Sequence, residues 1–136
     1  MLRVVLDTNI WISAVNFGGK PQEIIKLAVQ KKIAIYSSQT LYAEFIGVSR
    51  KKFAYSEEKI KAVESLYKRL VKFREPKTTV NLISVNPPDN RVLECALEAK
   101  ADFIISGDKK HLLSLKKFKN IPILPAAEFL KDFYQK

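Results

Sequence analysis

Residues 87–108 read Pro87-Pro88-Asp89-Asn90-Arg91-Val92-Leu93-Glu94-Cys95-Ala96-Leu97-Glu98-Ala99-Lys100-Ala101-Asp102-Phe103-Ile104-Ile105-Ser106-Gly107-Asp108. The prolines stop the preceding segment, and Asp89 is expected to cap a helix whose apolar positions are Leu93, Ala96 and Leu97. Phe103 to Ser106 then reads as a buried strand, ended by Gly107-Asp108. A helix followed at once by a short apolar strand is the repeating unit of a crossover-connected, mostly parallel sheet.

The rest of the chain carries the same alternation. Leu2 to Leu6 is a buried strand bounded by Asp7-Thr8-Asn9, and Gly18-Gly19-Lys20-Pro21 is a loop whose proline suits the first turn of a helix. Ile24, Ile25, Ala28 and Val29 have helical spacing, Ile33 to Tyr36 is a second strand, and Leu41, Glu44, Phe45 and Val48 mark another helix. Ser56-Glu57-Glu58 opens a longer helix with the stripe Ile60, Val63, Tyr67 and Leu70. A short strand is expected within Val80 to Val85, stopped by Asn86-Pro87-Pro88. After Asp108 come a Lys-rich turn or short helix, a strand at Ile121 to Leu124 and a final helix opened by Pro125. With no internal repeat or linker, residues 1–136 are expected to form one α/β domain.

Composition narrows the chemistry. One cysteine, Cys95, and one histidine, His111, cannot supply the four ligands of a structural zinc site. Cys95 falls in an apolar helical pattern and reads as a small core residue, while His111 lies in a Lys-rich stretch with no nucleophile motif nearby. Carboxylates are left as the main reactive groups. Lys plus Arg number 24 against 14 Asp plus Glu, a net charge of +10 that attracts polyanions, although a Lys-rich solubilising coat would look the same. No stretch reaches the ~20 apolar residues of a membrane span, and the amino-terminal run enters a strand without a signal peptide, so a cytoplasmic protein is expected.

Four acids stand at informative places. Asp7 and Asp108 follow strands, and in an open parallel sheet ligands bind outside the carboxyl ends of strands. Asp is also common wherever strands end, so neither is decisive alone. Glu44 takes a place in the apolar stripe of its helix, where a bare carboxylate is costly unless it reaches the rim or meets a cation. Asp89 is in line with the buried face of its helix, though a plain cap would sit there too. Four inward-directed acids repel one another unless a cation neutralises them, and carboxylate oxygens suit Mg²⁺ or Mn²⁺.

The order and spacing of these acids are similar to those of PIN domains. Val-Val-Leu-Asp7-Thr8-Asn9 resembles their opening motif, Leu-Tyr-Ala-Glu44-Phe the second, and residues 87–113 the third and fourth. Within that family the chain most resembles the VapC-like toxin components of toxin–antitoxin pairs, from Arg3 to about Phe129. The resemblance implies a three-layer α/β/α sandwich and an endoribonuclease that uses Mg²⁺ or Mn²⁺. It also implies a homodimer and a cognate antitoxin that blocks the active site. Catalytic and metal-binding positions carry over as Asp7, Glu44, Asp89 and Asp108, with Thr8, Asn9 and Ser106 in supporting positions. Two positions depart from the pattern: Lys110 and His111 stand where many relatives have a further acid, and Asn86 where many have another. The number of metal ions therefore stays open, as does an outer-ligand role for Glu94, whose helical phase is well off the Asp89 face.

Ions held by such acids would activate water and stabilise charge on the scissile phosphate of single-stranded or structured RNA without any histidine. Lys109 and Lys110 beside the Asp108 motif, continued by Lys116, Lys117 and Lys119, and Arg50, Lys51 and Lys52 after the Glu44 helix, are candidate phosphate-backbone tracks. Tyr42, Phe53 and Tyr55 could stack bases but fit core or interface roles better, and Trp11 fits packing. The rival within the same fold is a catalytically silent RNA-binding or scaffold protein. A haloacid-dehalogenase phosphatase would want Asp where Asn9 stands, and a receiver domain would want an acidic pair at the first strand.

Overall fold

In the computed structural model, which describes residues 1–83 and 88–134, side-chain alternation along three central strands builds two cores. Strand β1 (Leu2–Leu6) sends Val4 and Leu6 to one face and Val5 to the other. β2 (Ile33–Ser37) does the same with Ile33 and Ile35 against Ala34 and Tyr36, and β4 (Phe103–Ile105) with Ile105 against Ile104. Period-two alternation with both faces apolar is what a sheet covered on both sides requires.

The first face is covered by α1 (Thr8–Asn16), α2 (Gly19–Val29), α4 (Glu57–Leu70) and α7 (Ala126–Tyr134), through residues such as Trp11, Ile24, Tyr67 and Phe129. The second is covered by α5 (Asp89–Ala99), the short α6 (Leu112–Leu115) and the segment Val80–Ile83. The result is the three-layer α/β/α sandwich. Helix α3 (Gln39–Lys51) bridges the layers, with Leu41 in one core and Phe45 in the other.

Two further strands flank the sheet, β3 (Lys72–Phe73) and β5 (Lys117–Phe118), with β6 (Ile121–Leu124) between β4 and β5. The order is β3-β2-β1-β4-β6-β5, and all pairs are parallel except β5 with β6. The chain moves outward from β1 to β2 and β3, then returns to lay β4 on the other side of β1. That reversal opens a crevice beyond the carboxyl ends of β1 and β4, the usual ligand position in such sheets.

Several local expectations need correction. The loop at Gly18–Pro21 is shorter than its composition suggests: Gly18, at φ 74°, makes the corner, and α2 begins at Gly19. Asp89 is not the cap of α5; Pro88 holds that position and Asp89 is the first helical residue. Val80 to Ile83 is not a strand. Its backbone is satisfied by side chains instead, Val80 N–H donating to Glu94 and Ile83 pairing at both N–H and C=O with the Asn90 amide, at 2.8 and 2.7 Å. The remainder of that expected strand, Ser84 and Val85, and the departure at Asn86 lie outside the described residues.

Candidate metal centre

Asp7 emerges from β1 directly into the crevice. Its N–H donates to the Ile105 carbonyl at 3.1 Å, so the sheet ladder itself sets its height. One carboxylate oxygen accepts the Ile10 N–H at 2.9 Å, capping α1, and the other accepts the Ser106 hydroxyl. Ser106, buried at the end of β4, in turn accepts the Asp108 N–H at 2.9 Å. A single serine thus couples the acids that follow β1 and β4. Burial pushes Asp7 up to about 6, against the pull of hydrogen bonds from Ser106, Ile10 and Gly107, and the charge of Asp108 adds to the rise.

Glu44 reaches the same cavity from α3. Its helix turns Leu41 and Phe45 into the cores, which leaves Glu44 at the rim, half-buried. Burial raises its pKa, and a hydrogen bond with the Thr8 side chain partly offsets the rise. Asp7, Thr8, Asn9, Glu44 and Asp89, with Val48, Val92 and Lys52, line a cavity of about 230 Å³.

Asp89 and Asp108 face each other across the rim. Asp108 Oδ1 accepts the N–H groups of Lys110 and His111, both at 3.2 Å, an Asx-type turn that fixes the carboxylate. Its Oδ2 is 3.1 Å from His111 Nδ1, which is also 3.7 Å from Asp89 Oδ2. Burial, the hydrogen bond and charge of Asp108, and the charge of Asp7 push Asp89 up to about 7, with His111 pulling the other way. Asp108 moves down: burial opposes this, but its bonds to Asp89 and to the His111 backbone and ring prevail. The pair thus titrates apart, Asp89 upward and Asp108 downward, as two close carboxyls that repel one another do.

Of four acids from four elements, Asp7 and Asp89 are raised to about 6 and about 7 and Glu44 is raised as well, so positive charge entering the crevice would favour their ionised forms. Among the described residues, Asp89, Asp108 and His111 each place a ligand atom within 4.8 Å of the others. Carboxylate oxygens and an imidazole are donors that a divalent ion accepts, and the residues fit such an ion.

All four sequence-selected acids and their polar neighbours Thr8, Asn9 and Ser106 are therefore brought together. Glu94 is not among them; buried away from the acid cavity, it accepts the Val80 N–H at 2.8 Å and pairs with Arg91 at 2.9 Å. Of the basic tracks, Lys109 and Lys110 are exposed beside Asp108, while Arg50 is engaged in an ion pair with Glu57. Lys51 lines a neighbouring depression with Glu44 and Lys52, and Lys52 alone of that track lines the acid cavity. The sequence leaves the role of His111 open. Its spacing of three residues from Asp108, one helical turn, was the available signal.

Trp11 is a packing residue, its ring 4.3 Å from Tyr67 and 5.9 Å from Phe45 between centroids. Cys95 is buried in the core and its thiol is pushed up to about 12 by burial, so it is inert. Tyr42 packs against Tyr67 and donates to Glu64. No helix of the described residues is long and apolar enough to cross a membrane.

A crevice of acids at the reversal point of a parallel sheet defines a class, the three-layer α/β/α sandwich with a carboxylate-lined crevice at its strand ends. The family is more particular: the PIN domain model matches residues 3–110, and the chain belongs to the PIN domain family. Among solved structures, the fold is similar to a chain in the crystal structure of VapBC2 from Rickettsia felis bound to a DNA fragment from their promoter. The TM-score is 0.63 at 16% identity, over 90% of this chain and 97% of that one. No curated protein gives a significant sequence match.

Proposed function

We propose that the protein is a metal-dependent endoribonuclease, a single nuclease domain that serves as the toxin of a toxin–antitoxin pair. The observation that carries this reading is the convergence of Asp7, Glu44, Asp89 and Asp108 on one crevice where their mutual repulsion calls for a cation. A bound Mg²⁺ or Mn²⁺ would supply Lewis acidity for water activation and charge neutralisation at a phosphodiester.

The chain's own residues do the positioning. Asp7, held at both oxygens by α1 and Ser106, is the fixed floor of the site, and Glu44, steadied by Thr8, closes one side. Asp89 and Asp108 form the opposite wall, and the raised pKa of Asp89 would fall when positive charge enters. Asn9, exposed beside Asp7, offers an amide to a ribose or phosphate oxygen. Lys52 in the cavity wall and the exposed Lys109 and Lys110 next to Asp108 attract the RNA backbone without regard to sequence, supported by the net charge of +10. The likeness to a VapBC2 chain supports a cognate antitoxin, and the family resemblance supports a homodimer working in the cytoplasm.

Cleavage of a mixed single-stranded RNA pool with Mg²⁺, with Mn²⁺ and with EDTA, comparing wild type and Asp7→Asn, tests the reading. Metal-dependent cutting that disappears in the variant is expected. RNA binding by both proteins with no cleavage under any metal would replace the nuclease by a silent RNA-binding scaffold.

A further inference from the structure

The wall formed by Asp89 and Asp108 contains a third group that the four-acid reading leaves without a task. His111 precedes α6, and its side chain makes no capping bond to that helix. Its backbone is fixed on both sides: the N–H donates to Asp108 Oδ1, the carbonyl accepts the Ser114 hydroxyl at 2.7 Å, and Leu112 is fully buried. The ring is thereby held with Nδ1 toward Asp108 Oδ2 at 3.1 Å and Asp89 Oδ2 at 3.7 Å.

Those separations are the ones ligands of a single ion have. Two donors about 2.1 Å from an ion and at right angles are about 3.0 Å apart, and opposite donors about 4.2 Å. The two His111 Nδ1 separations, 3.1 and 3.7 Å, fall inside that span, and all three ligand atoms lie within 4.8 Å of one another. Asp108 Oδ1 is occupied by two backbone N–H groups, which leaves Oδ2 as the atom turned to the shared point.

We propose that His111 Nδ1 is a direct ligand of the metal held by Asp89 and Asp108, and that this nitrogen biases the site toward Mn²⁺ over Mg²⁺. The inference rests on the metal-site reading above and sharpens which ion the site takes. Mg²⁺ binds almost exclusively oxygen and keeps its waters, whereas imidazole is a good ligand for later divalent ions. A neutral imidazole also brings less negative charge than a carboxylate would at the same place, which removes part of the attraction a hard ion depends on.

Electron spin-echo spectroscopy of Mn²⁺ added to the protein reads the bond directly, because a coordinated ¹⁴N modulates the echo. Modulation is expected in wild type and its loss in His111→Ala. Calorimetric titration with the two ions alone should show Mn²⁺ affinity falling about 10-fold or more in His111→Ala while Mg²⁺ affinity changes less than about threefold. His111→Asp should narrow the gap between the ions by improving Mg²⁺. Circular dichroism of each variant establishes that the fold is intact.

Mn²⁺ bound by wild type without nitrogen modulation, or equal weakening of both ions in His111→Ala, would overturn the role of His111 and leave the four-acid site standing. A spectrum of free aqueous Mn²⁺ in the presence of wild type would overturn the metal site itself, and with it the nuclease reading.

Discussion

Asp7 and Asp89 both hold their protons above the ordinary carboxylate range, to about 6 and about 7, but by different balances. Burial leads in both. At Asp7 three hydrogen bonds pull back against it, from Ser106, Ile10 and Gly107. At Asp89 the next contributions push the same way, because Asp108 hydrogen-bonds with it and repels it, and only His111 eases the strain. The floor of the crevice is thus set by the fold, through groups fixed in the β1–β4 ladder. The rim is set by charge, through side chains that respond to whatever enters. A cation relieves the rim at once, whereas the floor is already formed before it arrives.

Substitution at the floor should have the largest effect. Asp7→Asn is expected to lower cleavage by about 10²- to 10³-fold, the usual loss when one electrostatic group of an active site is removed. Without metal the same change should stabilise the fold, by an amount that depends on pH. Because the folded pKa is raised from 3.8 to about 6, the folded state binds more protons than the unfolded chain in that window, so wild-type stability falls as pH rises through it. The variant's advantage should grow from near zero at pH 3.5 to about 3 kcal/mol at pH 7. Urea unfolding in EDTA across that range measures it, and an advantage that does not vary with pH would break the contrast.

Ser106→Ala acts on floor and rim together, since its hydroxyl serves both Asp7 and the Asp108 N–H. It should cost about 1–3 kcal/mol of stability, because buried partners are left unpaired, and should also weaken Mn²⁺ binding. Lost stability with unchanged Mn²⁺ affinity would mean that Ser106 supports the fold alone. Asp89→Asn, at the rim, should, like Asp7→Asn, stabilise the metal-free fold at neutral pH, because its folded pKa is raised, yet lower Mn²⁺ affinity at least about 10-fold, read by denaturation and calorimetry side by side. The smallest effect is expected outside the crevice. Each of Lys109→Ala and Lys110→Ala should reduce the slope of log affinity against log salt for single-stranded RNA by about 0.7, while leaving metal affinity alone.

Much of this arrangement was legible in the residues because the acids fall where the hydrophobic pattern changes. Asp7 and Asp108 mark strand ends, and Glu44 interrupts an apolar stripe, so each was visible as a departure from a period. The parallel sheet followed from the alternation of elements. What escaped depends on tertiary contacts. β3 and β5 are two residues each, too short to carry a period, and exist because neighbouring strands supply their hydrogen bonds. Helix α1 was hidden because Thr8-Asn9 reads as a turn, yet Asp7 caps it from within the site. Val80–Ile83 has strand-like residues whose backbone partners are the Glu94 and Asn90 side chains, 14 and 7 positions away. His111 was missed because a lone histidine among lysines has no pattern of its own. Its place is set by the turn that Asp108 makes around its own backbone.

The pairing of β1 with β4 also has a meaning in time. Asp7 and Ser106 are 99 positions apart, so on the ribosome the second is added about 5–20 s after the first. Until then the emerging chain carries Asp7, Glu44 and Asp89 without the strand that brings Asp108 to them, and without Ser106 to orient Asp7. The crevice is therefore built last-to-first: its floor residue is made early and stays unoriented until β4 arrives to pair with β1.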